Sequence, residues 1–279
     1  MTSPVAALLG LRPHRVDDTA LRHRLAGRVV VVTGASRGVG RAVAVRCAAA
    51  GGHVVLLARG ASALAEVADW IVDHGGAATS IPVDLRDLDA ATAAGERVVA
   101  ELGAPALVVS NAGHSIHRDL SAYVGRLHDV TRLAGVNLLG PIALALPLLG
   151  AMREARGGQL ISVGSVAMSL PGPGWSVYTA TKAGYDAWLR SVSPELTADR
   201  VAVTSIHLPL TRTTMSAPTY ADSRIPSLSA ADAASWVCRA VVTRPRVVSP
   251  WWGRVGAVLA AALPGAADRV AAATWRRSR

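Results

Sequence analysis

The chain contains no phenylalanine, and aromatic residues make up only 4% of its 279 positions. Charged residues are also scarce at 17%, whereas hydrophobic residues reach 51%. That balance excludes a disordered chain. With so few aromatic side chains, the core must be built from alanine, valine and other small or β-branched residues. The length suits one large domain or two small ones, and we expect one.

Cysteine is nearly absent as well. Cys47 and Cys238 lie in apolar, helix-like segments without CxxC spacing, so the sequence predicts buried free thiols and no metal site. Residues 1–25 mix apolar residues with Arg, His and Asp, which does not indicate a signal peptide. No run of about 18 apolar residues suggests a membrane-spanning helix. We therefore expect a cytoplasmic protein.

Acidic residues are fewer than basic ones, 19 against 29, which gives a net charge of +10 and a pI near 11. Such a balance is compatible with a nucleic-acid partner or an anionic membrane surface. The arginines are scattered, however, except for Arg276, Arg277 and Arg279 in the tail. We therefore expect general surface charge with local sites for an anionic cofactor, and no nucleic-acid partner.

Residues 29–40 have the order strand, glycine turn and helix. Four valines, Val29 to Val32, predict a strand buried on both faces, and the segment Thr33-Gly34-Ala35-Ser36-Arg37-Gly38-Val39-Gly40 leads into an alanine-rich helix. Glycines let the backbone approach a pyrophosphate, and the amides of a helix N-terminus bind it. The segment predicts a dinucleotide site; the alternative is a merely tight turn.

The next strand, His53 to Ala58, lacks an acidic residue at its end. An NAD site usually has an acid there for the adenosine ribose. Arg59 and Arg37 stand near that place instead, which favours the 2′-phosphate of NADP; the alternative is that both are ordinary surface arginines.

Strands and helices alternate along the rest of the chain. The predicted strands are Ser80–Val83, Leu107–Ser110, Gln159–Val163, Val201–His207 and Arg246–Ser249; two helices are expected over 119–156, and a final one over Ala230–Thr243. This order predicts a single doubly wound α/β sheet with helices on both faces, over residues 27–250. Residues 1–26 form an N-terminal extension and residues 251–279 an apolar, basic tail.

Polar or small residues follow several of these strands. Asp84, before Leu85, either accepts a hydrogen bond from the adenine amino group or caps the helix beginning near Asp87. Asn111-Ala112-Gly113 follows a central strand, at the sheet edge where ligands bind. The irregular segment 209–215 is a candidate lid. In the tail, Trp251 and Trp252 suggest a membrane interface, a subunit contact or packing over the substrate pocket.

Tyr178 and Lys182 are four residues apart in a helix-like segment, which places them on one helix face. Lys182 is the only lysine among the 29 basic residues. A compact ammonium therefore looks specifically required, because arginine does not replace it. The alternative interpretation is an ordinary solvated helix face.

Over residues 27–250 the chain resembles the short-chain dehydrogenase/reductase family, through its glycine turn, Asn111-Ala112-Gly113, Asn137, Ser165, Tyr178 and Lys182. The resemblance implies a Rossmann fold and a catalytic tetrad of Asn137, Ser165, Tyr178 and Lys182. It also implies a homodimer or homotetramer, with the dimer face on residues 137–155 and 178–198. The cofactor-binding residues it implies are Gly34, Ser36, Arg37, Gly38, Val39, Gly40, Arg59, Asp84, Leu85, Asn111, Ala112, Gly113, Tyr178, Lys182, Pro209, Thr211 and Thr213.

In such a site Tyr178 is the acid that protonates a carbonyl oxygen as hydride arrives at its carbon. Lys182 is expected to lower the phenol's pKa and to hold the nicotinamide ribose, Ser165 to bind the substrate oxygen, and Asn137 to keep a water relay or a backbone kink in place.

A narrower resemblance is to the bacterial fatty acyl-CoA reductases that form aldehydes. It rests on His114-Ser115-Ile116 after Gly113, on the segment 209–219 with Pro209-Leu210 where the wider family has Pro-Gly, and on Leu228-Ser229. It implies NADPH-dependent reduction of an acyl thioester, with an acyl chain held near Met168, Leu170, Trp175 and the tail tryptophans. The alternatives are a ketone or secondary-alcohol oxidoreductase acting on a biosynthetic intermediate, and a non-catalytic cofactor- or nucleic-acid-binding protein.

Overall fold

The computed structural model describes residue 5 and residues 8–277. Seven parallel strands form one sheet in the order β3-β2-β1-β4-β5-β6-β7. The strands are β1 Val29–Thr33, β2 His53–Ala58, β3 Ala77–Pro82, β4 Leu107–Ser110, β5 Gln159–Ser165, β6 Ala202–Leu208 and β7 Val247–Val248. The order reverses between β1 and β4, which opens a crevice at the carboxyl edge of the sheet.

Eleven α-helices accompany the sheet within residues 8–277. They are α1 Asp18–Leu25, α2 Gly38–Ala49, α3 Ala61–Asp73, α4 Leu88–Leu102, α5 Leu127–Ala134, α6 Gly140–Glu154, α7 Ser176–Ala198, α8 Ala217–Tyr220, α9 Ala230–Thr243, α10 Trp251–Ala262 and α11 Pro264–Arg277. Side chains from α1, α2, α3 and α9 pack on one face of the sheet, and those from α4, α6 and α7 on the other. The predicted doubly wound fold is confirmed.

Three predicted elements differ from the structure. The third strand spans Ala77–Pro82 and not Ser80–Val83, since Ala77 already pairs with His53 of β2. This edge strand is only half buried, so its apolar pattern in the sequence is weak. Residues 127–154 form one helical run with a π-turn at Gly135–Leu139, not two separate helices. The helix over 230–243 is not the last, since α10 and α11 follow it.

Both ends of the described chain pack on the domain. The indole of Trp236 in α9 donates to the Arg12 carbonyl at 2.9 Å. Trp251 and Trp252 donate their indole N–H groups to the carbonyls of Leu8 and Leu9, at 3.2 and 3.1 Å. The N-terminal segment is therefore held between α9 and α10. Cys47 and Cys238 are buried free thiols, as predicted.

One helical run in the described residues, Leu127–Glu154, is long and apolar enough to cross a membrane, contrary to the expectation of none. Part of this run is buried in the core of the domain, where Leu144, Leu148 and Met152 pack against the sheet. Helices α10 and α11 meet the same criterion only when joined across a bend of 116°.

Candidate active site

The turn between β1 and α2 has the geometry of a phosphate cradle. Gly34 and Gly38 have φ angles of +67° and +58°, in the left-handed region that glycine adopts without strain. A Cβ on Gly40 would lie 2.2 Å from the Gly34 carbonyl oxygen, so only glycine lets the helix start so close to the turn. Arg37, at the N-cap of α2, makes no side-chain capping bond there, which leaves the first amides of the helix available to a phosphate.

Asn111 fixes the crevice between β1 and β4. Its side-chain amide donates to the Thr33 carbonyl at 2.9 Å, and the Thr33 hydroxyl accepts from the backbone N–H groups of Asn111 and Ala112, each at 2.9 Å. A Cβ on Gly34 would lie 2.9 Å from that same amide nitrogen. The predicted Asn111 and glycine turn are therefore in contact, and together they shape the wall that a nicotinamide cofactor would follow.

Charged residues gather at the ends of β2 and β3. Asp84 accepts from the backbone N–H and the guanidinium of Arg86, and this hydrogen bonding holds its pKa below the usual range. The cap of α4 is Asp87, which accepts from Ala90 N–H at 3.0 Å, so Asp84 does not cap that helix. Arg37 and Arg59 are exposed. Arg86 is a further basic group here that the strand-end pattern did not indicate.

Asn137 sits in the π-turn and is fully buried. Its side chain accepts from His114 N–H at 2.8 Å and donates to the His114 carbonyl at 2.9 Å and to the Thr181 hydroxyl at 3.1 Å. It thereby ties the segment after β4 to α7, one residue before Lys182. His114 and Thr181 were not predicted, because their contribution depends on backbone groups and on three-dimensional proximity.

Lys182 lies under the segment after β4. Its ammonium donates to the Val163 carbonyl at 3.3 Å, and burial lowers its pKa to about 8. A Cβ on Gly113 would lie 3.0 Å from the Lys182 Nζ and 3.1 Å from the Asn137 Oδ1. The Gly113 backbone therefore packs closely against two predicted tetrad members, and a side chain at this position would crowd both of them.

Tyr178 is at the N-terminal end of α7, next to Ser165 at the end of β5. Burial raises the pKa of the Tyr178 phenol, and its hydrogen bond with Ser165 lowers it. The Ser165 oxygen also accepts from Ala167 N–H at 3.2 Å, which orients it. The sequence predicts that Lys182 lowers this pKa; in the structure burial dominates, and the ammonium is held on Val163. The phenol is thus a protonated group at neutral pH.

Aromatic rings close the site on the substrate side. Trp175 meets Tyr178 edge-on with ring centroids 5.7 Å apart and stacks on Tyr220 at 6.0 Å. His117 lies 4.8 Å from Trp175 and 6.4 Å from Trp275 of α11. Beside His117 is an open cleft of about 520 Å³, lined by Ser115, Ile116, His117, Met215, Pro218 and Thr219. Tyr220 and Trp275 had no recognisable signal in the sequence.

The predicted lid, residues 209–215, folds back over the glycine turn. Thr213 is its point of contact, since a Cβ on Gly38 would lie 3.4 Å from the Thr213 methyl group. The Ser216 hydroxyl donates to the Thr211 carbonyl at 2.8 Å and accepts from Thr213 N–H at 3.1 Å. Thr211 also bridges to Leu228. The predicted lid is therefore held in place at Thr211 and Thr213, beside the cradle.

The residues present fit a nicotinamide dinucleotide. The cradle at Gly34–Gly40, the backbone of Gly113 and the buried ammonium of Lys182 follow one another along the carboxyl edge of the sheet. No group of three or more His, Cys, Asp or Glu residues within the described part of the chain has a metal-binding arrangement.

Comparisons with known proteins agree with this site. Residues 28–224 match the model of the short chain dehydrogenase family. A fatty acyl-CoA reductase of Acinetobacter baylyi is 36% identical over 247 residues, covering 88% of this chain and 84% of the relative. A fatty acyl-CoA reductase of Mycobacterium tuberculosis is 37% identical over 227 residues, covering 81% and 77%.

Solved structures are similar as well. A metagenomic short-chain oxidoreductase in complex with NADP is 30% identical, with a TM-score of 0.71 over 81% of this chain and 97% of that one. A 3-oxoacyl (acyl-carrier-protein) reductase from Agrobacterium tumefaciens with NADP bound is 25% identical, with a TM-score of 0.75 over 83% and 95%. These matches contradict a non-catalytic binding protein. The chain belongs to the short-chain dehydrogenase family and is an NAD(P)-dependent oxidoreductase.

Proposed function

We propose that this enzyme uses NADPH to reduce the carbonyl of a fatty acyl thioester to an aldehyde. The main support for this reaction type is that four polar side chains lie together near the glycine turn, whose following helix has no side-chain cap. They are Ser165, Tyr178, Lys182 and Asn137. The acyl substrate is supported by similarity to two proteins named fatty acyl-CoA reductase, which covers 88% and 81% of this chain. It is also supported by the partly apolar cleft beside His117, whose ring lies 4.8 Å from Trp175, the neighbour of Tyr178.

When bound, NADPH supplies the hydride that goes to the carbonyl carbon. Tyr178 gives its phenolic proton to the carbonyl oxygen, and Ser165 donates a hydrogen bond as negative charge develops there. Lys182, whose ammonium donates to the Val163 carbonyl and lies beside the Gly113 backbone, would bind ribose hydroxyls and favour the phenolate that Tyr178 becomes. Asn137 keeps the segment after β4 in place.

For a thioester, this first step gives a hemithioacetal. Its collapse breaks the C–S bond, re-forms a C=O bond and passes the hydroxyl proton to the departing thiol. One hydride and one proton are therefore consumed, and one aldehyde and one free thiol are released. A ketone would stop at the alcohol, with no thiol.

The preference for NADPH rests on charge at the adenosine end. Arg37 is at the N-cap of α2, and Arg59 directly follows β2, where the chain has no acidic residue. Arg86 follows β3 nearby. Asp84 is neutralised by Arg86. We expect Arg59→Asp to lower the NADPH-to-NADH ratio of kcat/KM by at least roughly tenfold, because a phosphate contact is replaced by repulsion. An unchanged ratio would remove Arg59 from the phosphate site.

The second candidate is a ketone reductase acting on a biosynthetic intermediate. It is favoured by a 3-oxoacyl-[acyl-carrier-protein] reductase of Pseudomonas aeruginosa, 30% identical over 182 residues. The decisive experiment incubates the enzyme with NADPH and either an acyl-CoA or a panel of ketones. Loss of reduced-cofactor absorbance together with free thiol supports the thioester; loss with ketones alone supports the ketone reductase.

We further propose a cytoplasmic enzyme that forms a homodimer or homotetramer through residues 137–155 and 178–198. Support comes from the family and from two exposed apolar residues, Leu139 at the end of the π-turn and Leu146 on α6.

A further inference from the structure

Helix α10 turns most of its large apolar side chains towards solvent, whereas Trp252 packs on the domain. Trp251, Val255, Val258 and Leu259 are 58%, 49%, 67% and 53% exposed, and Leu263, directly after the helix, is 58% exposed. Their spacing of i, i+4, i+7 and i+8 places the first four on one helix face. We name these five residues the C-terminal apolar face.

The opposite side of α10 packs on the domain through glycines. A Cβ on Gly253 would lie 3.1 Å from Val166 Cγ1, and one on Gly256 would lie 3.0 Å from Leu170 Cδ2. Helix α10 therefore faces the protein with its two glycines and Trp252, and it faces outwards with Trp251 and its other bulky apolar residues. A helix of a soluble domain has the opposite arrangement, so this face is shaped for an apolar partner.

The charges around this face are almost all positive. Between residues 251 and 277 there are four arginines, Arg254, Arg269, Arg276 and Arg277, and one acid, Asp268; all five are exposed. The whole chain carries a net charge of +10. A second copy brought to this face would place arginine against arginine, whereas an anionic surface would be attracted to them.

We propose that the C-terminal apolar face docks on the surface of an anionic lipid bilayer, with the flanking arginines on lipid head groups. Apolar burial and arginine–phosphate attraction then act together. Trp251 is a residue type that favours the membrane–water boundary. Its indole N–H is already satisfied by the Leu8 carbonyl, so the ring can be buried without leaving a donor unpaired.

The helices are expected to lie on the bilayer and not to cross it. Helix α10 has 12 residues, a length of about 18 Å against the roughly 30 Å of a hydrocarbon core. The chain then turns by 116° into α11, which carries Asp268 and Arg269 in its middle. Two exposed charges in the second helix are compatible with head groups and not with hydrocarbon.

Docking in this way would bring the substrate cleft close to the lipid. Trp275 of α11 lies 6.4 Å from His117, and His117 lines the 520 Å³ cleft. If the substrate is a fatty acyl thioester, its chain could pass from the bilayer to Tyr178 past these rings. This consequence rests on the proposed function; the docking itself does not.

Vesicle co-sedimentation of the full-length protein, without substrate, tests the docking. Vesicles of phosphatidylcholine alone are compared with vesicles that also contain phosphatidylglycerol. We expect binding to the anionic vesicles that weakens with added salt.

Replacing both Val258 and Leu259 by Glu should weaken this binding roughly a hundredfold, whereas Val72→Glu, at a similarly exposed site on α3, should not change it. Replacing Arg276 and Arg277 by Gln should cost roughly fivefold for each arginine, and Arg22→Gln with Arg97→Gln should cost less.

Circular dichroism and NADPH binding check that each variant is folded. Failure of the wild type to bind anionic vesicles overturns the proposal, as does equal binding by the Val258/Leu259 variant. A concentration-dependent dimer in lipid-free solution that this variant abolishes would identify the face as a contact between chains instead. Because no step measures turnover, each of these results leaves the proposed reductase activity untouched.

Discussion

At the scale of single residues, Tyr178 depends on its surroundings to be a proton donor. Burial raises the pKa of the phenol, so it is protonated at neutral pH, and Ser165 stabilises the phenolate that remains after proton transfer. We expect Tyr178→Phe to lower kcat by roughly 10²–10⁴-fold, with NADPH affinity from fluorescence titration nearly unchanged. Tyr123→Phe, on the 3₁₀ turn at Ser121–Tyr123, is the matched control. A Tyr178→Phe enzyme that turns over normally would exclude Tyr178 as the acid.

We expect the buried ammonium of Lys182 to destabilise the folded state at neutral pH. Burial lowers its pKa from 10.5 to about 8, so below pH 8 the folded state carries a buried ammonium that the unfolded state exposes to water. Between pH 8 and 10.5 the folded protein releases this proton first, and the contribution of Lys182 to stability rises with pH. We expect Lys182→Met to raise the free energy of unfolding at pH 7 by roughly 1–3 kcal/mol while turnover is lost.

Chemical denaturation of wild type and Lys182→Met at pH 7 and pH 10 measures this difference. The gain should shrink at the higher pH, because wild-type Lys182 is then neutral in the folded state. Lys182→Arg keeps a buried cation and should show no gain. A Lys182→Met protein less stable than wild type at pH 7 would mean that the bond to Val163 outweighs the cost of burial.

At the scale of elements, the π-turn Gly135–Leu139 connects the crevice to α7. Asn137, at its centre, satisfies both backbone groups of His114. We expect Asn137→Ala to lower the free energy of unfolding by roughly 1–3 kcal/mol, because it leaves polar groups of His114 unpaired, and to lower kcat by displacing the segment beside Lys182. Thr181→Val removes only one bond to Asn137 and should have a smaller effect on both. Thermal unfolding and steady-state rates test this; equal effects of the two variants would contradict it.

The strands that bind the cofactor could be predicted closely, and the helices less so. Four consecutive valines before a glycine turn allow one local structure, and β2 and β4 have apolar runs that match their observed limits. The π-turn could not be predicted, because Gly135–Leu139 reads as ordinary helix and its extra residue is stabilised by contacts from Asn137 to His114 and Thr181. Likewise, the sequence after Pro250 is an apolar run that does not show which side of α10 is exposed. That side is defined only by the packing of Gly253 and Gly256 on the domain.

At the scale of the whole molecule, two apolar surfaces differ in charge. The C-terminal apolar face is bordered by arginines. By contrast, residues 139–150, at the end of the π-turn and in α6, contain no charged residue, although Leu139 and Leu146 are 47% and 58% exposed. An uncharged apolar surface can meet its own copy without repulsion. We therefore expect the predicted dimer face on α6 and α7 and the proposed lipid-docking surface on α10 to be separate regions with separate partners.

The two surfaces can be tested independently. We expect Leu146→Arg to weaken self-association by roughly thirtyfold or more, since a two-fold contact places two such arginines together in an apolar interface, and sedimentation velocity should show monomer at concentrations where the wild type is a dimer. Leu120→Arg, at a 78% exposed position in the segment before α5, is the control. The Val258/Leu259 glutamate variant should sediment like the wild type. If it becomes monomeric while Leu146→Arg stays dimeric, the assignment of partners to the two surfaces must be exchanged.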